Sequence, residues 1–144
     1  MEGLSSIAIR ELVITIGVQG AGKSTWCQKN LFHTHLRLNR DMLGSAERQL
    51  TLFHAALATG QNIVVDNTHP KASTRQVLIR LAKACDYRVR GVYFDVNAET
   101  AKARNRGRPS ERRVPDRAID GTLAKLEKPT LAEGFDELKV IDDR

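Results

Sequence analysis

Leu12-Val13-Ile14-Thr15-Ile16-Gly17-Val18-Gln19-Gly20-Ala21-Gly22-Lys23-Ser24-Thr25 is the stretch on which the fold turns. Its apolar opening suits a strand covered on both faces of a parallel sheet. From Gly17 to Ser24 the residues match the full phosphate-loop pattern G-x-x-x-x-G-K-[ST], in a strand-to-helix setting. Gly17, Gly20 and Gly22 permit backbone conformations closed to other residues, so that successive N–H groups turn inward around an anion. A helix starting near Gly22 aims its positive dipole end at the same anion. Lys23 has the reach to meet the outer phosphates of a nucleotide, and the Ser24 hydroxyl is placed to ligate a magnesium ion bridging them. Ala21 and Thr25 complete the predicted cradle.

A chain of 144 residues is one domain's worth, so residues 1–144 are expected to form a single phosphate-loop domain. Cys27 and Cys85 both fall in predicted helices, without C-x-x-C spacing, and read as reduced thiols. No charged-then-apolar leader opens the chain and no apolar run approaches a membrane span, so a cytoplasmic protein with no membrane partner is expected. The net charge is +6, and it is uneven. Between Lys102 and Arg117, seven basic residues face only Glu111 and Asp116. Such a segment is either a solvated face or an anion-facing lid, with room for a nucleic-acid groove beside it.

Outward from the loop, the pattern alternates strand and helix. Met1 to Arg10 reads as a loose lead-in. Helix is expected from about Gly22 to Leu31, then an extended Leu36-Arg37-Leu38. Leu43, Ala46, Leu50, Phe53 and Leu57 line one face of a single amphipathic helix that begins at Asp41 and ends at Gly60. A strand over Asn62 to Val65 closes on Asp66. Helix returns from Ala72 to Cys85, with a stripe of Val77, Leu78, Leu81, Ala82 and Cys85. A strand from Tyr87 to Val96 precedes a helix starting at Ala98, capped by Asn97. Pro115 to Lys128 reads as helix, and Leu138 to Ile141 as a last strand. Trp26 and Phe32 are read as core. This order predicts a doubly wound α/β fold.

In such folds the carboxyl ends of the strands face the ligand crevice. There the phosphate loop, Asn39-Arg40-Asp41 and Asp66-Asn67-Thr68 should converge. Asp41 has two readings: a general base for a hydroxyl acceptor, or the cap of the following helix. Asp66 ends an apolar strand, a position from which a carboxylate serves magnesium or orients Arg40, Arg75 or the acceptor. Arg104, Arg106 and Arg108 alternate just past a helix; Arg106 is the first choice for a lid arginine and Arg104 the second. His33, His35, His54 and His69 show no metal-ligand spacing. No N-K-x-D segment is present, which argues against a GTPase.

Five segments carry a family resemblance: Gly17 to Trp26, Leu38 to Ser45, Val65-Asp66-Asn67-Thr68, Ala103-Arg104-Asn105-Arg106, and Pro129-Thr130-Leu131-Ala132-Glu133-Gly134-Phe135. Together they resemble the kinase domain of polynucleotide 5'-hydroxyl kinases, and nearly all of the chain beyond Arg10 takes part. The resemblance implies a phosphate-loop NTPase fold of the nucleoside-kinase-like, three-layer kind, with sheet order 2-3-1-4-5 and an arginine-rich lid. It implies ATP and Mg2+ at Lys23 and Ser24, Asp41 as the base and Arg106 as the lid arginine. Arg104 is expected beside the nucleotide, and Asp66 beside the metal. Arg40, Asp66, Asn67, Thr68 and Arg75 are expected near the acceptor, a 5'-hydroxyl end of DNA or RNA. The chain departs from the bacteriophage pattern at Gly44, where that enzyme has an arginine. Two further readings stand beside this one: a kinase of a small metabolite or nucleoside, and a non-catalytic ATP-binding interaction module.

Overall fold

The structure is a computed structural model that describes residues 10–142; the expected lead-in over residues 1–9 lies outside the described residues. Five strands, β1 (Glu11–Ile16), β2 (Leu36–Leu38), β3 (Ile63–Val65), β4 (Arg88–Asp95) and β5 (Glu137–Asp142), form one parallel sheet in the order β2-β3-β1-β4-β5. Between them run α1 (Lys23–Leu31), α2 (Arg40–Leu43), α3 (Ala46–Thr59), α4 (Ala72–Ala84), α5 (Ala98–Arg106) and α6 (Asp116–Lys125). The expected α/β class and strand order are both borne out.

Alternation along β1 builds two cores from one strand. Leu12, Ile14 and Ile16 pack with Phe53, Leu57, Leu78, Ile79 and Phe135 on the α3–α4 side. Val13 packs with Cys27, Leu31, Val92, Phe94, Ala101 and Ile119 on the α1–α5–α6 side. The sheet is thus the middle of three layers. Gly91 lets the far edge close, because a Cβ there would lie 2.8 Å from the Phe135 ring.

Several expectations are corrected. The single helix expected from Asp41 to Gly60 is two. Gly44 takes a left-handed φ of 89° and its N–H closes on the Arg40 carbonyl, ending α2. Ser45 then starts α3 by accepting from the Arg48 N–H. The break rotates the expected stripe, leaving Leu50 exposed while Phe53, Ala56 and Leu57 are buried. On α4 the buried face is Arg75, Leu78, Ile79 and Ala82, with Val77 outside. Cys85 lies just beyond α4. Phe32 is 70% exposed and no part of the core. Trp26 is half-buried, edge-on to Phe94.

Candidate active site

The phosphate loop is strapped to the sheet from two sides. The Gly17 N–H donates to the Thr68 carbonyl at 3.0 Å, so the β3 exit loop holds the start of the loop in place. Gly20, at φ 80°, presses against α5, where a Cβ would sit 2.4 Å from the Ala101 carbonyl oxygen. No side chain caps α1, whose N-cap is Gly22, so its first-turn N–H groups are left for an anion. Lys23 is buried and donates to the Gly17 carbonyl (3.0 Å) and the Val18 carbonyl (2.7 Å). Burial pushes its pKa down to about 8, against the opposing pull of Asp66.

Asp66, at the end of β3, is 1% exposed. The Ser24 hydroxyl donates to its Oδ2 at 3.0 Å, and Thr15 Oγ1 lies 3.3 Å from its Oδ1. The ion-pair partner is Arg37, not Arg40 or Arg75: its Nε donates to Asp66 Oδ2 at 2.8 Å and its Nη2 to Ser24 Oγ at 3.1 Å. Arg37 escapes sequence reading because it sits in what looks like a connecting strand. The available signal was a charge inside an apolar strand, one register step from the neighbour of Asp66. As two adjacent hard oxygen donors, Ser24 and Asp66 fit magnesium. Among the described residues no group of three or more His, Cys, Asp or Glu suits a metal ion, so such an ion would draw further ligands from water and phosphate.

Asn39 takes the capping role that was one of the two readings of Asp41. Its side chain accepts from the Met42 N–H at 2.9 Å and donates to the Asp66 carbonyl at 2.7 Å, capping α2 and tying it to β3. Asp41 is therefore not the cap. Its exposed carboxylate makes no hydrogen bond or ion pair among the described residues, yet lies close enough for its charge to be felt at Lys23.

The arginines of the basic segment divide by helical geometry. Arg104 and Arg106 lie in the last turn of α5, two positions apart and so on different sides of it, and Arg108 lies just beyond the helix. Arg104 Nη1 donates to the Ala21 carbonyl at 3.1 Å, and the charge of Arg108 is felt at Lys23. Arg106 instead pairs with Asp116 at 3.0 Å. Of the two candidates for the lid, the second choice, Arg104, thus meets the phosphate loop in this structure, and the first choice, Arg106, meets Asp116. Asn105 is buried and clasps Val114 through both backbone groups, at 2.6 and 3.0 Å, so the segment between them is pinned at its base.

On the acceptor side the expected residues separate. Arg40 is exposed, and its backbone N–H donates to the Asn67 side chain. Asn67 also donates to Gln49 at 2.8 Å, which makes it a clip between β3 and α3. Thr68 contributes its carbonyl to Gly17. Arg75 is removed from the acceptor contacts: it is wholly buried, bound to both oxygens of Glu133 at 2.8 and 2.9 Å and to the carbonyls of His69 and Glu127. His69 is buried at φ 44° and donates from Nδ1 to the Thr15 carbonyl at 2.7 Å. Burial pushes its pKa down to about 4, with Lys23 and Arg75 adding to the effect.

A family model described as an AAA domain matches residues 34–129. The chain is 24% identical, over 92% of its length, to a bifunctional polynucleotide phosphatase/kinase of Schizosaccharomyces pombe. It is 27% identical, again over 92%, to a putative bifunctional polynucleotide phosphatase/kinase of Acanthamoeba polyphaga mimivirus. It spans 33% of each of these relatives. Among solved structures, Kti12 of Chaetomium thermophilum in complex with ADP-AlF3 shares the fold. Its TM-score is 0.70 at 14% identity, with 92% of this chain and 89% of that one covered.

Proposed function

The chain belongs to this AAA-domain family, and from that premise we propose that it transfers the γ-phosphate of ATP to the 5'-hydroxyl end of a DNA or RNA strand. The observation that carries the reading is the exposed carboxylate of Asp41, which has no hydrogen bond or ion pair among the described residues and lies just past the carboxyl end of β2, with its charge felt at Lys23. The similarity to two polynucleotide phosphatase/kinases supports the choice of acceptor.

In this reading Asp41 accepts the proton of the 5'-hydroxyl as its oxygen bonds to the γ-phosphorus and the bond to the departing ADP oxygen breaks. Lys23 and the uncapped N–H groups of α1 hold the phosphates, and Arg104 closes on the migrating group. Mg2+ bound at Ser24 and Asp66 would supply further positive charge to the phosphate oxygens. Arg40, Arg112, Arg113 and Arg117 are exposed, and would offer counter-charge to backbone phosphates of the acceptor strand.

The test is end-labelling with γ-labelled ATP, Mg2+ and oligonucleotides bearing a 5'-hydroxyl. Label should enter these strands, be blocked by an existing 5'-phosphate, and show an oligonucleotide KM that rises steeply with salt. Label entering only a nucleoside or sugar would move the acceptor to the small-molecule class. ATP binding without transfer to any acceptor would make the chain a non-catalytic module.

A further inference from the structure

Arg37 places a cation of the chain's own on the pair of oxygens that fits magnesium. Its Nε bonds Asp66 Oδ2 at 2.8 Å, its Nη2 bonds Ser24 Oγ at 3.1 Å, and Ser24 Oγ bonds the same Asp66 oxygen at 3.0 Å. The three groups close a ring. A carboxylate as buried as Asp66 requires a counter-charge. Lys23 makes no ion pair with it, since its ammonium is spent on the Gly17 and Val18 carbonyls. Arg37 supplies the charge instead, from the exposed margin of the site: its side chain is 36% exposed, so the guanidinium has a path out to water.

An N–H aimed at a carboxylate lone pair and a metal bound to that lone pair exclude each other. Magnesium also demands near-ideal octahedral geometry and tolerates no intruding donor. We infer that Arg37 is a tethered cation that competes with Mg2+ for the Ser24–Asp66 pair. It neutralises Asp66 in the nucleotide-free protein and gives way when Mg2+ arrives with the nucleotide. Arg37 is in this sense a positioning residue that sets the metal concentration at which nucleotide binding becomes metal-supported. The inference rests on the proposed metal role of Ser24 and Asp66, and is independent of the acceptor.

The experiment titrates Mg2+ against binding of the non-hydrolysable nucleotide AMPPNP, by calorimetry, in the wild type and in Arg37→Gln. Thermal melts in EDTA run alongside. The half-saturating Mg2+ should fall in the variant by about fivefold or more, the worth of a charge-assisted bond discounted for partial exposure. The EDTA melting temperature should fall too, and recover further than the wild type's when Mg2+ and nucleotide are added. An unchanged or raised half-saturating Mg2+ overturns the inference. Should Arg37→Gln not fold, Arg37→Lys is titrated instead. One ammonium replaces a fork that spans two groups, so Mg2+ demand should again fall, and no fall overturns the inference. A wild type that binds AMPPNP without regard to Mg2+ removes the metal reading of Ser24 and Asp66, and the competition with it. A metal-dependent wild type beside an unshifted variant removes the competition alone.

Discussion

Replacing Arg75 separates a structural role from the acceptor role that the family resemblance implies. In Arg75→Met the Glu133 carboxylate, 7% exposed, loses two charge-assisted bonds and, among the described residues, keeps the Thr130 N–H at 3.0 Å. The carbonyls of His69 and Glu127 lose their guanidinium donors at the same time. Breaking one side of a buried ion pair costs about 3–5 kcal/mol. With a urea m-value of roughly 1–3 kcal/mol/M, the unfolding midpoint should fall by about 2 M. Adding Glu133→Gln removes the stranded charge and should return about 1 kcal/mol or more, a coupling that a double-variant cycle isolates. The assay is equilibrium urea unfolding followed by Trp26 fluorescence and circular dichroism. A midpoint equal to the wild type's, together with a raised KM for the oligonucleotide, would refute the reasoning and return Arg75 to the acceptor site.

Asp41→Asn should lower kcat by about 10²- to 10⁴-fold, the usual worth of a positioned base, and leave AMPPNP affinity and the urea midpoint unchanged, because the carboxylate has no hydrogen-bond or ion-pair partner among the described residues. A kcat close to that of the wild type would place the base elsewhere. Acid stability tests His69. Its folded pKa of about 4 lies below the ordinary 6.5, so the unfolded chain binds more protons between those values. Stability should therefore fall as pH drops from 6.5 towards 4. His69→Asn, which tolerates the positive φ, should flatten that limb of the profile; a limb left intact would assign the acid sensitivity to another group. Gly20→Ala should abolish AMPPNP binding and destabilise the fold by about 1–3 kcal/mol, since its Cβ meets a backbone oxygen of α5 at φ 80°. Calorimetry showing wild-type affinity would mean that the loop and α5 part freely.

The loop and the sheet were legible for the same reason. An apolar run, three glycines and a Gly-Lys-Ser-Thr end constrain the local backbone, and strand–helix alternation then constrains the topology. Asp41 was legible as a candidate carboxylate but not in its geometry. Two residues in Asn39-Arg40-Asp41 have oxygens able to cap α2, and only the fold shows Asn39 taking that bond. The break at Gly44 was open to reading, because glycine followed by serine is a C-cap and N-cap pair in sequence. The helical spacing from Leu43 to Leu57 concealed it.

By itself, then, the sequence determined which residues could cradle phosphate, which stretches pair as buried strands, and that a strong positive charge lies between Lys102 and Arg117. These are properties of local chain stiffness, hydrophobic period and charge density. Only the tertiary structure decided the partners. It set Arg37 against Asp66 across 29 positions and Arg75 against Glu133 across 58, and it turned Arg104 to the loop and Arg106 to Asp116. Such pairings depend on strand register and helix rotation. A shift of one residue reverses the face of a strand side chain and turns a helix side chain by about 100°, so no local pattern carries them.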